Sequence, residues 1–298
     1  MTRRQSPARR REARAGYLFL LPFAVVFTAM LVVPLVYSAY LSLYRRQLVG
    51  GTAFVGLANY ARALKDQEFL AGVGRVGLVL LVQVPVMLVL ALVLALVLDS
   101  GRLHLKRFVR LAVFVPYAVP AVIAALMWGY LYGRDFGPFA QLAKALGVAP
   151  FDFLGNGTML GSIMNIVTWS FVGYNMIIMY SALRTVPAEL YEAARIDGAG
   201  EFQIAWSIKV PALRPAIILT VIFSVIGSFQ LFNEPSILRS IAPNVITRGY
   251  TPNLYAYNQA FAAQDMNYSA AIAFLLGFVI MIVSYVFQLT TRRKAAAA

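Results

Sequence analysis

The acidic, small and aromatic residues between Leu183 and Pro215 are spaced for docking rather than for covalent chemistry. Pro187 stands where a helix can begin, and Glu189 and Glu192 in its first turn suit the positive end of a helix dipole. Leu190, Ala193, Ala194 and Ile196 supply an apolar side. Gly198 and Gly200 permit a sharp turn at positive φ, with Asp197 placed to cap the next helix. That second helix is expected from about Gly200 to Ile208, ending before Pro211. On this hairpin the small side chains of Ala193, Ala194, Gly198 and Ala199 let another protein approach the backbone closely. No reactive constellation accompanies it. None of the five lysines follows a glycine, so the chain lacks the phosphate-cradling Gly-x4-Gly-Lys-Ser/Thr loop of an ATPase. With no Cys and a single His, His104, neither a metal cluster nor a thiol nucleophile is expected.

A second set of polar and aromatic residues lies within long apolar runs. Asn165, Trp169, Val172, Gly173 and Met176 recur at one helix face. Gly227, Gln230 and the Asn233/Glu234 pair share a face of the next run. Amides and aromatic rings hold a neutral polyol through hydrogen bonds and stacking. The same residue types also join membrane helices to one another, which is the competing explanation.

The elements that must carry these residues follow from composition. The 298 residues are 60% hydrophobic and 13% charged, against about 25% charged in soluble domains. Six stretches contain no Asp, Glu, Lys or Arg, and they predict spans over residues 17–43, 78–98, 111–133, 158–183, 215–233 and 270–289. Each reaches the length of about 20 apolar residues needed to cross a bilayer. The expected fold is therefore an all-α integral membrane protein of six transmembrane helices. Residues 1–16 form a basic tail, 17–291 the six-span domain and 292–298 a second tail. The first apolar run is too long for a secretion signal, whose core has about 7–15 residues.

The net charge of +14 raises the possibility of nucleic acid, but its placement argues for orientation instead. The two tails, the loop after span two and the loop 184–214 hold 17 basic and 6 acidic residues, leaving 9 and 6 elsewhere. Arg3, Arg4, Arg102, Arg292, Arg293 and Lys294 belong to the richer set. Lys and Arg are retained on the cytoplasmic side, so both termini and the 184–214 hairpin are expected inside. Membrane lipid is the expected surrounding, and nucleic acid is not an expected partner. Outside, Leu57, Tyr60, Ala61, Leu64 and Phe69 suggest one short amphipathic helix. A turn and surface helix are expected within 134–157, and a solvated or docking loop over 239–265. Pro22, Pro34, Pro116 and Pro120 read as kinks within the spans.

The spacing Glu192-Ala193-Ala194, Gly198, Ile208 and Val210-Pro211 resembles the EAA loop of permease subunits in bacterial ATP-binding-cassette importers. The Asp197-Gly198-Ala199 form, the position after span four and Phe54-Val-Gly56-Leu-Ala-Asn59-Tyr60 after span one resemble the carbohydrate importers, notably the maltose, lactose and cellobiose types. Val210 stands where the family usually has Leu, an exchange of one apolar residue for another. The resemblance implies a type I importer permease fold with a second permease, two ATPase subunits and an external sugar-binding protein. It implies that the loop docks into a cleft on the ATPase, with Glu192 in polar contact and Gly198 setting the turn. ATP and Mg would then sit on the partner, with no cofactor on this chain. Substrate would pass between spans four and five and their counterparts. A phosphate ester is the rival cargo, through Arg239 and Arg248, although no arginine lies within a span. An ion-coupled carrier is disfavoured because no span core holds an ionisable group, the nearest being Glu234.

Overall fold

The structure, a computed structural model, describes residues 7–47, 50–101 and 103–296, and side-chain surroundings from residue 16 to residue 289. Arg3, Arg4 and Arg102 lie outside the described residues, as do the side chains of Arg292, Arg293 and Lys294. Among the described residues, four continuous helices are long and apolar enough to cross a membrane: Gly16–Ser42, Gln67–Asp99, Met159–Leu183 and Met266–Leu289. Two bent pairs complete the set. Lys106–Ala118 meets Ala121–Leu131 at 99°, and Glu201–Ala212 meets Arg214–Phe229 at 63°. Counting each pair as one span gives the expected six.

The boundaries differ from the charge-free blocks, for a physical reason. Span two opens at Gln67, not residue 78, because its outer charges have partners. Asp66 caps the helix by accepting from the backbone N–H groups of Glu68 and Phe69. Glu68 accepts from the Gly249 N–H at 2.9 Å, and Arg75 donates to the Tyr250 carbonyl at 3.3 Å. Gly72, within this helix, is held so close to the Gly249 carbonyl that an added Cβ would lie 2.9 Å from it. The single amphipathic helix expected over 57–69 is two helices broken at Asp66. Leu57 and Leu64 are exposed, and the buried members of the first helix are Asn59 and Ala63. Asn59 donates to the carbonyls of Ser42 and Tyr44, anchoring an unforeseen hairpin of Tyr44–Arg46 and Thr52–Phe54.

Prolines act in three ways. Pro22 and Pro116 remain inside helices. Pro120 breaks span three, because the ring drives Val119 into an extended conformation (ψ 125°). Pro34, Pro85 and Pro211 each follow a π-helical turn, at Thr28–Val32, Val79–Gln83 and Ala205–Lys209. In each, the residue before the proline donates to the carbonyl five residues back. The wider turn separates the ring from the carbonyl it would otherwise strike. The second helix of the 184–214 hairpin thus runs through Pro211 instead of stopping before it.

Spans two, four and five share a core of Ala91, Ala95, Leu98, Met176, Met179, Leu183 and Leu213. Ala91 and Ala95 let span four approach closely. The outer segment 239–265 is largely built in rather than a solvated loop. Its helix Pro252–Phe261 buries Leu254, Tyr255 and Ala256. The expected surface helix in 134–157 is Pro138–Ala145.

Candidate functional site

The residues singled out by sequence fall in three places. The first is the hairpin between spans four and five. Its first helix, Ala188–Ile196, closes on the turn expected at Gly198, where φ is +84°. The Gly198 N–H donates to the Arg195 carbonyl at 3.1 Å and the Ala199 N–H to the Ala194 carbonyl at 2.9 Å. These two bonds form a Schellman closure, which needs a residue at ease in the left-handed region. Asp197 ends this first helix and does not cap the second, whose first turn follows Gly200 with no side-chain cap. An Arg195–Glu201 ion pair of 3.1 Å spans the turn.

The hairpin presents its apolar side outward. Ile196 is 87% exposed, Phe202 83% and Trp206 66%. Glu192 and Ala193 are exposed, whereas Ala194, Ala199, Ile208 and Pro211 are half-buried. Phe202 and Trp206 fall outside the spaced motif, although two aromatic residues in a charged segment are a legible signal. Only Ile204 and Lys209 are buried within the second helix up to Lys209. The exposed surface thus carries Ile196, Phe202 and Trp206 among charged side chains that include Glu192. It continues directly into span five with no intervening loop.

The second place is a cavity of about 260 Å³ where spans two, four and five meet. Gly227, Gln230, Asn233 and Glu234 line it, as expected of one path. Asn233 and Glu234 belong to a separate helix, Asn233–Ile241, and not to span five, which ends at Phe229. The span-four residues beside them are Phe171, Tyr174 and Asn175, and span two adds Gln83. Asn175 and Gln83 are each 3% exposed. Gln83 donates to the Thr168 hydroxyl at 3.2 Å, and Asn175 to the Phe171 carbonyl at 3.0 Å. Buried amides in a charge-free run were the available signal for both.

The span-four face expected to meet span five points elsewhere. Asn165 donates to the Tyr132 hydroxyl at 2.7 Å and lines a separate aromatic cavity of about 570 Å³. Trp169 stacks edge-on against Trp128, with ring centroids 5.8 Å apart. Gly173 faces the Val113 carbonyl so tightly that a Cβ would overlap it, and Met176 is fully buried in the core. The structure therefore does not bring the two predicted sets together in one cavity. Helical phase held within span four, whereas the face read from Gly227 to Glu234 crosses the end of span five at Phe229, and which neighbour each face meets is a tertiary matter.

The hairpin thus continues into span five across the bend at Leu213, and the polar cavity lies at the far end of that span. Residues 87–295 match the family described as binding-protein-dependent transport system inner membrane component, and the chain belongs to it. It is 32% identical, over 91% of both chains, to the trehalose/maltose transport system permease protein MalF of Thermococcus litoralis. It is 31% identical to the arabinooligosaccharides transport system permease protein AraP of Bacillus subtilis, over 91% of this chain and 87% of that one. A subunit of a bacterial ABC transporter importing the acidic polysaccharide alginate shares the fold. Its TM-score is 0.85 at 17% identity, covering 95% of this chain and 96% of that one. The protein is a multi-pass membrane component of an importer of the ATP-binding-cassette kind.

Proposed function

We propose that this chain forms half of the membrane pathway for a neutral di- or oligosaccharide, delivered by an external binding protein and driven by separate ATPase subunits. The observation that carries the reading is the connection, one residue long, between the hairpin helix of Phe202 and Trp206 and span five, which leads through the bend at Leu213 to Gly227 and Gln230 at the cavity. A push on the hairpin moves the cavity wall. The cavity supports the choice of cargo: amides of Gln83, Asn175 and Gln230 beside the rings of Phe171, Tyr174, Phe223 and Phe232 suit hydroxyl groups and sugar faces. No Lys or Arg lines it, which disfavours a phosphate ester.

On this reading a second, similar permease completes the path and ATP with Mg is held by two partner ATPases. This chain itself binds no cofactor and catalyses no reaction. Both termini are cytoplasmic. Glu192, Ala193, Ala194, Asp197, Gly198, Ala199, Ile208 and Pro211 serve the ATPase contact.

The test is uptake of maltose, trehalose, lactose and arabino-oligosaccharides into cells expressing this chain with its second permease, ATPases and binding protein. ATP-dependent uptake of one of them is the expected result. Gln230→Leu should raise its KM about tenfold without loss of assembly, the size of one lost hydrogen bond to substrate. Trp169→Ala should leave the KM unchanged, since Trp169 lies outside this cavity. Uptake independent of ATP, or unchanged kinetics in Gln230→Leu, would reject the proposal.

A further inference from the structure

Lys209 and Asp99 form a buried ion pair at the cytoplasmic ends of two different helices. The Lys209 Nζ stands 2.6 Å from the Asp99 carboxylate, and both side chains are 6% exposed. Asp99 is the last residue of span two, where the negative end of a helix dipole disfavours a carboxylate. The ammonium offsets both that repulsion and the loss of water. Lys209 ends the π-helical turn before Pro211, so the widened turn sets the direction of its side chain. The same ammonium lies 4.9 Å above the ring of Tyr191, in the first helix of the hairpin. Tyr191 has a buried hydroxyl, and burial first, then the Asp99 charge, raises its pKa. Three elements thus converge on one cation: span two, the docking helix and the root of span five.

Separating these charges would leave two of them buried and unpaired, which is far costlier than breaking a surface pair. We infer that Lys209 and Asp99 are positioning residues that tie the docking hairpin to span two, so that spans two and five move as one body when the ATPases close. Gln83, midway along span two, and Gln230, just past the end of span five, stand on two walls of the cavity. The inference rests on the reading of the hairpin as the ATPase contact. It adds that movement reaches span two through this pair and not through span five alone.

The test uses the complete complex with its ATPases and binding protein in lipid nanodiscs. The chain contains no cysteine, so a pair introduced at Leu81 on span two and Val286 on span six takes spin labels cleanly. The distance between the labels is measured before and after trapping with Mg-ATP and vanadate. The unaltered pair should show a shift. Asp99→Asn and Lys209→Met should assemble with the ATPases yet lose at least half of it, with at least about fivefold more ATP hydrolysed per sugar imported, the low end of typical coupling energies. The exchanged pair, Asp99→Lys with Lys209→Asp, should recover the shift. An undiminished shift in both single variants would overturn the inference. So would loss of assembly in both, which would assign the pair to folding alone. Absence of any shift and of ATPase binding in the unaltered chain would instead reject the hairpin reading.

Discussion

The end of this bundle expected to face outward and the end that carries the hairpin are built on different plans. At the outer end Asp66 accepts hydrogen bonds from the hydroxyls of Tyr255 at 2.6 Å and Tyr268 at 2.8 Å. Arg62 pairs with Asp265 at 3.0 Å and lies 3.7 Å over the Tyr268 ring. The starts of spans two and six and the helix Pro252–Phe261 are thereby joined within the chain. At the other end the hairpin exposes Ile196, Phe202 and Trp206 and is held by the buried Ile204 and the Lys209–Asp99 pair. The outer end joins its helices through polar contacts within the chain. Large apolar side chains left to water, as on the hairpin, are the usual mark of an interaction surface.

Four changes would break or sharpen that contrast. The largest effect is expected at Gly198→Pro, because proline cannot adopt the φ of +84° and loses the N–H that closes the first helix. Uptake should fall to background and capture of the ATPase subunits should be lost, with the permease still inserted. Next, Phe202→Asp combined with Trp206→Ala should weaken ATPase association by roughly thirtyfold, about 2 kcal/mol for removal of interface anchors. Detergent-solubilised permease alone should melt as before, since both side chains are exposed.

The third change addresses the outer end. Asp66→Ala removes a helix cap and two phenol hydrogen bonds, and should lower unfolding stability by about 2–4 kcal/mol, read from denaturation midpoints. ATPase association should be unchanged. Burial by itself would raise the Asp66 carboxyl, but the phenol and backbone donors outweigh it and hold the group below its ordinary value. Its contribution is therefore present above the unfolded carboxyl value of about 3.9 and is lost as pH falls through the lower folded value. Asp66→Asn should flatten the acid limb of the stability curve below pH ~4. The smallest effect is expected at Asn165→Leu, which breaks the bond to Tyr132: about 1 kcal/mol of stability, with sugar uptake unaltered.

Much of the site was legible before the structure, in specific ways. The charge-free runs located the spans because hydrocarbon tolerates no unpaired charge. Gly198 was readable because only a left-handed turn makes sense of a glycine there. The extension of span two to Gln67 was not readable, because Glu68 and Arg75 look like loop charges until Gly249 and Tyr250 are seen beside them. Nor was the Asp99–Lys209 pair, whose members are 110 residues apart.

Local chemistry, then, was settled by sequence alone: six apolar runs and a hairpin with its turn at Gly198. These depend on neighbours a few residues away, so short-range spacing is enough. Tertiary structure alone decided which faces meet. It turned Asn165 and Gly173 toward span three and set Asn175 beside Gln230. Helical phase fixes the direction of a side chain around its own axis, but not which helix packs there. That choice is made by the closest fit among the small and large side chains of several helices at once.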